Sequence, residues 1–165
     1  MSLRIVVVTA AVSALALATA SVGTRAAADL DFEYFKAKVQ PIFLMKRPGH
    51  SPCVVCHAEA NNQLKLEKLP EGQSSWTDEQ SHKNFDVVTK MINAVDDPLT
   101  AKILLHPLAP EAGGDAFHSG GRQFKDKNDP LWKTIAAFAK GAKLADADTK
   151  PVSAKPAKEK PAHHH

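Results

Sequence analysis

Cys53, Cys56 and His57 stand in the run Cys-Val-Val-Cys-His, a spacing that suits covalent attachment of one haem. Two thiols three positions apart can each add to one vinyl group of a porphyrin, and a histidine directly after the second thiol can reach the iron. Cys53 and Cys56 are therefore expected to be the anchors and His57 the proximal axial ligand. Three other uses of a Cys-Xaa-Xaa-Cys pair compete with this one. A zinc site needs two further ligands at matching spacing, and the chain has no other cysteine. A thioredoxin-like redox pair follows a strand, whereas Pro48-Gly49-His50-Ser51-Pro52 leads in here. A plain disulfide is the remaining alternative.

The second axial position has several candidates. A distal ligand must come from a segment free to fold over the porphyrin face, which favours a loop whose glycines allow close backbone approach. His118, followed by Ser119-Gly120-Gly121, meets that condition. His106 stands between a helix end and Pro107, where capping the last carbonyls is its other use. Met91 falls on the apolar stripe of an expected helix, where methionine commonly fills the core. Met45 precedes the haem motif, His50 and His82 read as solvent histidines, and an open sixth site completes the set. Arg122, Gln123 and Arg47 are candidates for a haem propionate, since a guanidinium matches a carboxylate at two points; the alternative for the arginines is plain surface exposure. Trp76 has two readings, a propionate contact through its indole N–H or a core position.

The elements that must position these groups are helices. Phe32, Phe35, Val39, Ile42 and Phe43 recur at helical spacing, with Asp29 or Asp31 as N-cap and Pro41 as a kink or stop. A loop over 46–52 delivers the chain to Cys53. A second helix is expected from Thr77 or Ser81 to Val95, and a third from Leu99 to Leu105 with Pro98 in its first turn. Two prolines and two glycines make 106–114 a loop that runs on through Phe124. A last helix starts near Asp129 with Pro130 first and ends before Gly141; its aromatic face is expected to pack against Phe32, Phe35 and Phe43. No strand signal occurs, so the expected fold class is all-α.

The order helix, Cys-Xaa-Xaa-Cys-His, helices, ligand loop, terminal helix resembles a monohaem class I cytochrome c over residues 29–142. In that family the sixth ligand comes from a loop well after the proximal histidine and is usually methionine. Here position 118, which is 61 residues (118 minus 57) after His57, is histidine. The run His118-Ser119-Gly120-Gly121 is similar to the His-Xaa-Gly-Gly run of planctomycete-type cytochrome c domains, in which histidine can replace methionine. The resemblance implies helices packed around one covalently bound haem c, with Cys53, Cys56, His57 and His118 holding it and both histidines on the iron.

Residues 1–28 read as an export signal: Arg4, an apolar run from Ile5 to Leu17, and Ala26-Ala27-Ala28 as a cleavage site. An uncleaved anchor is the alternative; after cleavage no membrane span is expected, and the destination is the periplasm. Without Arg4 and Arg25 the chain keeps 19 basic side chains (21 minus 2) against 18 acidic ones, which implies no nucleic-acid partner. Residues 143–165 are rich in lysine, alanine and proline, lack aromatics, and read as a disordered tail. The final His163-His164-His165 is assigned no role. No Ser-His-Asp-like set, phosphate loop or second haem motif is present, so the expectation is a non-enzymatic electron carrier that exchanges single electrons with a dehydrogenase, oxidase or another cytochrome. The alternatives are a haem-based gas or ligand sensor and the electron-transfer subunit of a periplasmic dehydrogenase.

Overall fold

Asp31 starts the first helical stretch by accepting the Tyr34 amide on its carboxylate at 2.5 Å, which satisfies one of the donors a helix start leaves open. The computed structural model describes residues 29–147, so the export segment and residues 148–165 of the expected tail lie outside the described residues. This first stretch, α1, covers 32–44 in three parts: an α-turn Phe32–Tyr34, a π-helical turn Phe35–Val39 and an α-turn Gln40–Leu44. The wide turn has a cause. Pro41 has no amide hydrogen, and its ring would crowd the carbonyl four residues back in a regular helix; widening just before it lets the Gln40 amide reach Phe35 O. The expected kink at Pro41 is thus a π-turn upstream of it, and the helix continues to Leu44.

α2, Cys53–His57, is a single turn. α3, Asp78–Asn93, begins with a capping box in which Thr77 and Gln80 satisfy each other's backbone amides, and it ends two residues before the expected Val95. The expected third helix is divided. Pro98–Thr100 forms a 3-10 turn capped by Asp97, buried Ala101 is extended at φ −60° and ψ 138°, and α4 occupies only Lys102–Leu105. α5, Pro130–Ala139, starts where Asp129 accepts the Leu131 amide and closes at Gly141, whose φ of +88° suits glycine. A further turn, α6 at Leu144–Ala147, lies inside the segment expected to be disordered, and the Lys143 ammonium reaches the Asp29 carbonyl at 2.9 Å. Among the described residues there is no β-strand, only isolated bridges pairing Arg47 with His50 and Leu108 with Phe124. No helix of the described residues is long and apolar enough to cross a membrane.

α5 packs its aromatic face on the π-turn of α1. The Phe35 and Phe138 rings are 5.6 Å apart, and Phe85 of α3 completes the cluster at 5.5 Å from Phe35 and 6.1 Å from Phe138. Phe35 and Phe138 are fully buried, each worth roughly 1.5–3 kcal/mol of apolar burial. Phe32 departs from the expected packing: it stacks on His82 at 3.7 Å and meets Phe85 edge-on, so His82, exposed as expected of a solvent histidine, also serves as an aromatic partner. The other side of the molecule is built mainly from the stretches 45–52, 58–77 and 106–129, and together with α2 it carries His50, His57, His106 and His118.

Candidate functional site

Pro52 is extended at φ −55° and ψ 146°, so the helical turn of α2 can begin only at Cys53. Within that turn Cys53, Cys56 and His57 occupy positions i, i+3 and i+4, which share one face. All three line a cavity of about 460 Å³, within the range of roughly 300–1,000 Å³ usual for ligand sites. Its walls are mostly apolar, with Ile42 and Phe43 from α1, Leu64, Ile103, Phe124 and Ile135. Both cysteines are free thiols, and burial pushes the Cys53 thiol above its ordinary range.

His57 is held from behind. Its Nδ1–H donates to Leu64 O at 2.9 Å, with Asn62 Oδ1 at 3.3 Å, which leaves the lone pair on Nε2. Burial lowers its pKa, against the opposing pull of those two acceptors, so the neutral imidazole needed by a metal ligand is favoured.

His118 arrives on a closed turn. Its Nδ1–H donates to Gly121 O at 2.6 Å and its carbonyl accepts the Gly121 amide at 3.0 Å, so its Nε2 is likewise the free nitrogen. The two glycines have separate reasons. A Cβ on Gly120 would lie 3.1 Å from His118 Cε1, and Gly121 has φ +77° with the His50 ring against it. Further back, Gly114 packs so tightly that a Cβ there would overlap the Leu108 carbonyl. Gln123 Nε2 donates to Ser51 O at 3.1 Å, which ties this loop to the segment entering α2.

The result is a facing pair. The His57 and His118 ring centroids are 6.2 Å apart with planes inclined by 18°. Two imidazoles bound through Nε2 on opposite sides of one metal, at the usual nitrogen–metal length of about 2.0 Å, place their centroids roughly 6 Å apart. The His106 ring centroid is also 6.1 Å from that of His118, with the planes inclined by 11°, and its Nδ1 faces the Asp115 carboxylate. Among the described residues no three His, Cys, Asp or Glu side chains gather as a metal cluster. A planar cofactor that brings its own equatorial donors needs only two, and the pair at His57 and His118, with both thiols beside it, fits such a group.

The other expected site residues are placed elsewhere. Trp76 is buried and does not line the cavity; its indole N–H donates to Glu67 O at 2.7 Å. Arg122 also stays outside the lining and braces the histidine loop, donating to His106 O at 3.0 Å and Ala116 O at 2.5 Å. Arg47 pairs with Asp129 at 2.5 Å and covers the Phe124 ring. Met91 and His106 do line the cavity, whereas Met45, His50 and His82 do not. Lys102, Gln63 and Phe117 belong to the lining without having been singled out by the sequence; for Lys102 the signal was present, since it stands four residues before His106 and shares its helix face. Comparison with protein-family models, with curated proteins and with solved structures returned no match for this chain.

Proposed function

We propose that the chain carries one haem c, joined by thioethers to Cys53 and Cys56 with His57 and His118 on the iron, and that it passes single electrons between redox partner proteins in the periplasm. The fold in this reading is class I cytochrome c-like. The observation that carries it is the His57–His118 pair, 6.2 Å apart with both Nδ1 atoms tied to backbone carbonyls, above a cavity that both thiols also line. When bound, the haem iron supplies the chemistry, a cycle between two oxidation states.

The protein's own residues do the rest. Leu64 O and Gly121 O fix the orientation and tautomer of the two imidazoles, and a backbone acceptor on Nδ1 makes the opposite nitrogen a better donor. Apolar walls from Ile42, Phe43, Ile103 and Ile135 exclude water and keep the dielectric low around the metal. The export signal read in residues 1–28 supports the periplasmic location, where such thioethers form.

The test is expression with a c-type maturation system. The expected product keeps its colour through denaturation and has the mass of the processed chain plus one haem, and Cys56→Ala lowers the yield of coloured protein. Its oxidised spectrum is low-spin without the far-red band of sulfur ligation, and His118→Ala converts it to a high-spin form that binds carbon monoxide. Extraction of the colour by acidified organic solvent would overturn covalent attachment. Ready binding of carbon monoxide by the unmodified protein would favour the sensor.

A further inference from the structure

α4 and its C-cap present three side chains to the cavity, Lys102 and Ile103 from the helix and His106 from the cap. Lys102 and His106, four residues apart, stand one above the other on that wall. Around the whole lining no aspartate or glutamate occurs, and Lys102 is its one lysine or arginine. Lys102 is exposed, so its ammonium stays hydrated at the cavity mouth, and it forms no ion pair among the described residues. The arginines that might have done the same work are committed: Arg122 to two backbone carbonyls, and Arg47 to Asp129 and the face of Phe124.

A cavity with one cation and no carboxylate selects against cationic ligands and for anionic ones. Its apolar walls make the same demand in another way. A carboxylate left unpaired against Ile42, Phe43 and Ile103 loses its hydration without compensation, so an anionic edge of the occupant must come out where a cation and water are available. The exposed part of the lining supplies both, with Lys102 as the cation and Asn62, Gln63 and Ser119 as further exposed polar groups.

We infer that Lys102 is the anion anchor of the cavity, holding a carboxylate of the bound molecule. Resting on the function proposed above, that carboxylate is a propionate of the haem, and Lys102 thereby sets which edge of the porphyrin faces α4. A positive charge on the wall of the same cavity would also disfavour the ferric state, whose net charge is higher by one, and so raise the reduction potential.

The experiment is potentiometric titration of the haem-loaded protein and its variants Lys102→Gln, Lys102→Glu and Lys102→Arg. Lys133→Gln serves as control, because Lys133 is also exposed, on α5, but lies outside the lining. The expected result is a lower potential for Lys102→Gln, a lower one still for Lys102→Glu, and recovery in Lys102→Arg, with Lys133→Gln close to the unmodified protein. Thermal melting of the four Lys102 forms is expected to coincide, which a merely structural role would not give. If Lys102→Gln shifts the potential no more than Lys133→Gln while the haem remains bound, the anchor is wrong and the proposed function stands. A chain that retains no haem would strike down both.

Discussion

The two sides of this molecule are held by different means. On one side Phe35 of α1, Phe138 of α5 and Phe85, Val88 and Ile92 of α3 pack ring on ring and branch on branch. On the other side helices are one turn long, and the loops around the histidines are fastened by single polar contacts: Arg122 on two carbonyls, Gln123 on Ser51 O, His118 on Gly121 O. Apolar packing tolerates small displacements and gains in proportion to area. A donor aimed at one carbonyl defines an orientation and contributes only about 1 kcal/mol. The helical side is therefore where stability resides, and the loop side is where direction is specified.

The comparison breaks most visibly at Phe138. Removing its ring in Phe138→Ala empties the centre of the aromatic cluster and is expected to cost about 3–5 kcal/mol, read as a large fall in the thermal or denaturant midpoint. Any protein that remains folded keeps the axial-ligand spectrum of the unmodified form, because Phe138 does not line the cavity. A spectrum that changes together with stability would show the two sides to be less separable than their contacts indicate.

A smaller effect is expected at the joint between them. Arg47, on the loop entering α2, pairs with Asp129, the N-cap of α5. Burial pushes the Asp129 carboxyl up, but the Arg47 guanidinium and the Leu131 amide outweigh it, and the net pKa is lowered. A carboxylate depressed in the folded state contributes stability above its unfolded value, near 3.9, and loses it as pH falls through the folded value. Asp129→Asn should cost about 2 kcal/mol near neutral pH and flatten the acid limb of the stability profile. An unchanged acid limb in denaturation followed from about pH 6 to about pH 2, roughly the window set by that carboxylate, would refute the assignment.

The smallest change in stability with the sharpest local result is expected from Gly120→Ala. Its backbone needs no left-handed conformation, so melting should move by no more than about 0.5 kcal/mol. The new Cβ would stand 3.1 Å from His118 Cε1, closer than ordinary contact, so the expected outcome is a small shift of the ring out of its alignment with His57. In the haem-loaded protein this should appear as a partial high-spin signal at unchanged stability. A purely low-spin spectrum would mean that the loop absorbs the methyl and that Gly120 does not position His118.

Much of the architecture was readable in the chain because it depends on neighbours in sequence. Asp31, Thr77 and Asp129 cap their helices through amides two or three residues on, and the apolar spacing at Phe35, Val39 and Ile42 needs only helical periodicity. The turn that puts Cys53, Cys56 and His57 on one face is local in the same sense. Tertiary structure decided the rest. Trp76 and Arg122 could bond any carbonyl or carboxylate that came near, and only packing shows that Glu67 O, His106 O and Ala116 O are the acceptors. Phe32 looked like a core residue by period, yet α3 brought His82 to it. The distance between His57 and His118 is of this second kind: it depends on the turns that hold each ring and on a loop tied to Ser51, each weak alone, and no local stretch of sequence contains it.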